Sequence, residues 1–388
     1  MVIALSTLCA PRLVSFGPRR RDGERFRLRG RAFSPVKDAF DPVDFLEETV
    51  PVESHEEVGA VRDHLVDNVT DASVHASGCV VAERGEGDET VLLNTHMDTV
   101  APHVPYERDG GIVRGRGACD AKGPLAAMVA AFEGFGATDE RTVRLVVSPD
   151  EETSSRGIHD YLSEEADEGF AEFAVVGEPT SLDICTAAKG RFGATVVFRG
   201  EAAHAASGGG RNAVSCAAEA VRRLEDVEPD RDDVLGGSRL TVTRFEGGES
   251  PNQVPEEARI TLDRRPVPPE TEGEFVALVE EALSGIGCDY DVVLPDSPSP
   301  ESAAFRTDED DGNVQRLREC VEEAAGSTEL RPFGAACEAS HISAHAPVVV
   351  FGPGAIDDGE PVAHSEREYV RVDEVRAAAD ALTRFLNS

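Results

Sequence analysis

The chain has 388 residues and a formal net charge of −36, which excludes a basic face built to contact nucleic-acid phosphates. No apolar run approaches the ~18 residues of a membrane span, and a 40% hydrophobic content suffices for about two domains. Only Lys37, Lys122 and Lys189 among 38 basic residues are lysine, tryptophan is absent and acids number 74. Such a surface suits concentrated salt, where charge keeps the chain soluble and its self-repulsion is screened.

Residues 1–38 carry nine basic and three acidic side chains, so the remainder holds a net −42. This segment reads as a disordered arm or a start codon placed too early. The run Arg19–Arg21 precedes no apolar segment and is a poor export signal. From Pro42 the apolar spacing predicts two short helices, in PVDFLEETV and EEVGAVRDHLVDNV. Residues 90–100 form a buried strand running into a loop, and Leu125, Met128, Val129 and Phe132 recur at helical spacing. Strands follow at 142–148 and 173–176, each ending in acids. Strands alternating with helices, with polar residues just past strand ends, describe an open α/β domain over 39–188 and 298–388.

Residues 189–297 differ. Phe192, Ala194, Val196 and Phe198 alternate along one strand, and Ala258, Ile260 and Leu262 along another. With a helix from Asn212, another in EGEFVALVEEAL and a strand in CDYDVVLP, this is an inserted α+β domain with an antiparallel sheet. DSPSPE is its return linker. A helix at 313–325, a strand in PVVVFG and a helix at 373–386 complete the first domain. The eight cysteines include no C-x-x-C pair, which disfavours a zinc ribbon or redox dithiol and fits reduced thiols in a cytosol.

Five motifs carry metal chemistry. His96 can ligate a metal while Asp98, two residues on, receives its other ring N–H. GRGACD breaks the dinucleotide pattern G-x-G-x-x-G at Asp120, where a carboxylate would repel a pyrophosphate and attract cations. In DEE, Glu152 is a candidate ligand and Glu151 a candidate general base; Glu178 in GEPT has the same placement after a strand. His364 in VAHSERE is the last candidate ligand, with His341 and His345 as alternatives. This mixed nitrogen and oxygen set, without thiolates, fits two divalent ions such as Zn²⁺, Co²⁺ or Mn²⁺, and metal-assisted hydrolysis.

The ordered series HMDTV, GRGACDAKGPLAAM, DEE, GEPT, AHAA, NQVP, DRR and GPG…AHSEREYV resembles the co-catalytic zinc amidohydrolases that include acetylornithine deacetylase, succinyl-diaminopimelate desuccinylase, aminoacylase and carboxypeptidase G. The resemblance spans about Pro42 to Asn387. It implies a hydrolase-like mixed-sheet catalytic domain and a ferredoxin-like insert serving as dimerisation and lid domain. It further implies that Asp120 bridges the ions, with His96 and Glu178 on one and Glu152 and His364 on the other. Asp98 orients His96, and Glu151 takes a proton from the attacking water. His204 stabilises the oxyanion from the partner subunit of a homodimer. Asn252 and Arg265 clamp the α-carboxylate of an N-acyl amino acid, and Gly354 allows close backbone approach near it. Cys337-Glu338-Ala339 is similar to the T-E-A of acetylornithine deacetylases, not to the T-S-D-A-R-like loop of desuccinylases. The expected reaction is N-acetyl-L-ornithine deacetylation, in arginine or lysine biosynthesis. Its rivals are desuccinylation, hydrolysis of a carrier-protein-linked lysine or ornithine, dipeptidase or carboxypeptidase action, and a non-catalytic binding protein.

Overall fold

From Val91 onward every side chain of the strand Glu89–His96 is buried, and the main sheet is built around it. A computed structural model describes residues 40–138, 140–167, 169–295 and 302–388. The expected arm at 1–38 and the linker DSPSPE at 296–301 lie outside the described residues. Glu89–His96 pairs in parallel with Arg141–Ser148 on one side and Phe173–Val176 on the other. Val348–Val350 continues the parallel run beside Phe173–Val176. Near-continuous apolar runs are what strands covered on both faces require. Antiparallel partners flank this centre: Val80–Arg84 against Arg141–Ser148, and Ile184–Ala188 against Val348–Val350. The result is a nine-stranded mixed sheet.

Val91 and Leu93 point into one core, and Leu92 into the other. On the first face lies the helix Lys122–Gly134, whose residues from Lys122 to Phe132 are all buried. A helix apolar all round needs cover on every side, and it is met by Pro42–Thr49 and Val372–Asn387. The second core takes in Ile158, Tyr161 and Leu162 of the helix Arg156–Glu165, which periodicity alone does not single out.

Between residues 192 and 293 the chain runs strand Phe192–Arg199, helix Ala213–Glu225, strands Arg239–Gly247 and Glu257–Arg265, helix Glu272–Ala282 and strand Asp289–Val293. The spatial order is second, third, first, fourth strand, all antiparallel. That is the ferredoxin-like β-α-β-β-α-β arrangement. The alternating residues Phe192, Ala194, Val196, Phe198, Ala258, Ile260 and Leu262 are all buried in a core separate from the other two. Asn212 caps the first helix by accepting from the Ser215 N–H, and Thr271 with Glu274 forms a capping box on the second.

One expectation is corrected here. Cys216 and Cys288 are joined in a disulfide across 72 residues. Their Cα atoms lie 6.1 Å apart, Cys216 within the first helix of this unit and Cys288 just before its last strand. Cys79, Cys119, Cys185, Cys320 and Cys337 are free and buried. Disulfides are rare in reducing compartments, so this bond counts against reading the cysteines as cytosolic thiols. No described helix is long and apolar enough to cross a membrane.

Candidate metal centre

Parallel pairing sets His96 opposite Ser148 and Asn94 opposite Val176. The three strands therefore end together, and the segments after them gather at one edge of the sheet. This is where open α/β sheets place their sites. Asp120 arrives from a different direction, two residues ahead of the helix Lys122–Gly134. His364 comes from the C-terminal segment, which is tied to the GRGACD loop by pairing of Tyr369–Arg371 with Ile112–Arg114.

Asp120 is the hub. Its Oδ1 lies 3.2 Å from His96 Nε2, and its Oδ2 lies 3.1 Å from His364 Nε2. His364 Nε2 is also 3.1 Å from Glu152 Oε1, and His96 Nε2 is 3.9 Å from Glu178 Oε1. Donor atoms of His96, Asp120 and Glu152 lie within 4.8 Å of one another. His341 and His345 take no part in these contacts: the first stands 6.2 Å from the His159 ring and the second 6.4 Å from Phe170.

Asp98 does more than its spacing predicts. Its Oδ1 lies 3.3 Å from His96 Nδ1, which also meets the Asp98 carbonyl oxygen at 3.0 Å. The same carboxylate accepts the backbone N–H groups of Glu151 at 3.0 Å and Glu152 at 3.1 Å. One side chain thus positions a histidine ring and the backbone of two glutamates.

Negative charge is concentrated here beyond what the protein's own cations can neutralise. Burial opposes protonation of His96, but its bonds to Asp120 and Asp98 outweigh that and raise its pKa. His364 is raised to about 10 by Asp120 and Glu152. Burial would raise Asp120, yet the two histidines hold it well below the usual carboxylate range. Burial pushes Glu151 and Glu178 upward, and with neighbouring carboxylates it outweighs the opposing pull of His96. Convergent nitrogen and oxygen donors with surplus negative charge fit divalent cations.

A cleft of about 820 Å³ opens beside the cluster, lined by Glu151, Glu152, Cys337 and His341 on one side and by Arg191, Phe192 and Leu294 from the ferredoxin-like unit. The remaining expected residues stand apart. His204 is exposed on a short bridge opposite Gln253, and the Ala205 N–H donates to the Asn252 carbonyl at 2.9 Å, so His204 and Asn252 share one ribbon. Arg265 grips Asp263 with two nitrogens, at 2.8 and 3.3 Å. None of these three lines the cleft. Gly354, at φ +85°, packs so close to Cys119 that a Cβ would sit 2.6 Å from the Cys119 Cβ. Its N–H donates to Glu374 at 3.0 Å.

Some contributors escape sequence reasoning. Arg191, where the insert begins, lines the cleft and stands 3.7 Å from Asp263. Glu338 is buried, and burial raises its carboxyl to about 7 against the lowering effect of Ser148, His96 and Asn94. Lys122, kept in a chain with almost no lysine, is buried and donates to the carbonyls of Thr49 at 3.1 Å and Val52 at 2.6 Å. It ties the Asp120 loop to the end of the first helix.

The profile of peptidase family M20/M25/M40 matches residues 92–388, and the chain belongs to this family. It is 31% identical over 320 residues to a LysW-lysine/LysW-ornithine hydrolase of Pyrobaculum aerophilum, covering 81% of this chain and 86% of that one. It is 29% identical over 341 residues to an acetylornithine deacetylase of Myxococcus xanthus, covering 81% and 84%. Aminopeptidase PepT of Bacillus cereus shares the fold with a TM-score of 0.72 at 20% identity, covering 89% of this chain and 97% of that one. A dinuclear metal-binding peptidase of this family from Bacillus subtilis does so with a TM-score of 0.61 at 13% identity, covering 90% and 98%. The protein is a metal-dependent hydrolase of amide bonds.

Proposed function

We propose that this enzyme removes the acyl group of a small N-acyl amino acid, N-acetyl-L-ornithine first among them. What supports the reading is that Glu151 lines the cleft beside the cluster of His96, Asp120, Glu152, Glu178 and His364. Asp120, His96 and Glu178 would hold one divalent ion, and Asp120, Glu152 and His364 the other. Zn²⁺ fits this donor set, with Co²⁺ or Mn²⁺ as substitutes. Bound there, the ions would supply Lewis acidity toward the amide carbonyl and the water.

The protein's own part is proton handling and orientation. Glu151, whose pKa burial raises, is suited to take a proton from the attacking water and return it to the leaving amine. Asp98 holds His96 and the Glu151 backbone in fixed relation. Arg191 on the cleft rim offers a cation to a substrate carboxylate. Asn252 and Arg265 would join it if the 189–297 unit acts as the lid and dimerisation domain.

A second reading, release of lysine or ornithine from an acidic carrier protein, is favoured by the likeness to the Pyrobaculum hydrolase. Metal-loaded enzyme, assayed in high and low salt, separates the readings with N-acetylornithine, N-succinyl-diaminopimelate, a carrier-linked lysine and dipeptides. Release of ornithine from the acetylated substrate supports the first reading; release only from the carrier conjugate transfers the function to the second.

His204 tests the dimer. Its replacement by alanine is expected to lower kcat by about 10²–10³-fold, the cost of an oxyanion donor, with metal content unchanged. Because His204 stands outside the cleft of its own chain, mixing His204→Ala with Glu151→Gln subunits should regain activity in hybrid dimers. A mixture no more active than its parts would confine His204 to its own subunit.

A further inference from the structure

Arg116 and Glu368 are an ion pair with both side chains buried, Nη1 to Oε2 at 2.6 Å. An ion pair so far from water gains little net stability, since desolvation offsets the attraction, so its presence calls for another account. The contacts around it supply one. Glu368 Oε1 accepts the backbone N–H of Cys119 at 3.2 Å and of Asp120 at 3.3 Å. Arg116 Nε donates to the Pro102 carbonyl at 3.1 Å, and its Nη2 lies 3.5 Å from the His364 carbonyl. Both Glu368 oxygens are engaged within the protein, so Glu368 is not itself a ligand.

We propose that the Arg116–Glu368 pair is a positioning device that sets the backbones of Asp120 and His364 relative to each other, and so the separation of the two metal positions. This rests on the metal-centre reading above. The segments that carry the hub carboxylate and His364 are joined by the pairing of Tyr369–Arg371 with Ile112–Arg114, but that pairing stops five residues from His364 and six from Asp120. Side-chain contact alone leaves their backbones free to drift, because each torsion between Cα and donor atom adds slack. His364 has φ +61°, a left-handed conformation uncommon for a residue with a Cβ, and it needs support from its surroundings. A planar guanidinium can hold the His364 carbonyl and Glu368 at once, while Glu368 holds the Asp120 amide. Lysine carries its three donors on one nitrogen and cannot reach the Pro102 carbonyl, the His364 carbonyl and Glu368 from three separate, coplanar nitrogens.

The test uses the full chain loaded with Zn²⁺. Glu368→Gln keeps the volume and an acceptor for the two amides but removes the charge. Arg116→Lys keeps the charge but loses the fork. Titration calorimetry is expected to show Zn²⁺ affinity weakened about 10–100-fold in each, the usual effect of removing a group that orients a metal ligand. At limiting Zn²⁺ kcat should fall with KM unchanged, and excess Zn²⁺ should restore it. Wild-type affinity in either folded variant overturns the proposal. If both variants lose only thermal stability, and their folded fraction binds Zn²⁺ as wild type does, the pair serves folding alone and the proposal is likewise overturned. The metal-centre reading fails separately, if wild-type protein itself binds no Zn²⁺.

Discussion

Glu151→Gln is expected to lower kcat by about 10⁴-fold, near the upper end for loss of a general base and equivalent to about 5 kcal/mol of barrier, while both metal ions stay bound. Glu151 faces the cleft and is absent from the contacts that join His96, Asp120, Glu152, Glu178 and His364. Its backbone N–H, not its carboxylate, is what Asp98 holds. Glutamine preserves that anchor and the side-chain volume but cannot accept a proton at useful pH. The measurement pairs single-turnover kinetics with metal analysis of the same sample. Loss of metal would exchange the roles of Glu151 and Glu152. Near-normal turnover would remove the base from the scheme altogether.

Asp120→Asn should have the larger effect on metal binding. One oxygen of Asp120 faces His96 and the other faces His364, so asparagine turns an amide nitrogen toward one proposed ion and leaves the other only a neutral carbonyl oxygen. An amide nitrogen in either place donates where an acceptor is needed. Affinity for both ions should fall by at least about 100-fold, more than for removal of an orienting group, and turnover should fall with it. Histidine–carboxylate contacts also contribute to the apo fold, so melting curves belong beside the metal titration. An unchanged content of two ions in Asp120→Asn would show that the hub is only a hydrogen-bond acceptor.

The strands around the site were legible because burial leaves a local mark. VLLNTH, RLVVS and FAVV are runs that strands covered on both faces require; the first ends in a histidine and the other two are followed two residues on by an acid. The alternation from Phe192 to Phe198 likewise announced a sheet with one covered face. Short elements escaped. Val80–Arg84 has a mixed pattern and a charged end, and Ile184–Ala188 is five small or branched residues without flanking turn chemistry. The first two backbone N–H groups of the helix Arg156–Glu165 are accepted by the Asp150 carboxylate, at 3.1 and 2.9 Å, and not by the adjacent Ser155, so its cap is not a local pattern.

The chemistry of the centre was set by residue type at each strand end. A histidine two residues before an aspartate, an acid where a nucleotide loop needs glycine, and paired glutamates after a strand are all local facts of the chain. Asp120 looked like the wrong residue for phosphate, and its neighbours in space are those of a cation site. What sequence alone left open were the distances. Glu152 and His364 are 212 residues apart and meet at 3.1 Å. Cys216 and Cys288 bond across 72 residues, and Arg116 finds Glu368 in the interior. Such meetings follow from strand order and from how helices pack on the sheets. No periodicity of two or 3.6 residues encodes them, because local patterns decide which face of an element is buried and tertiary packing decides what that face meets.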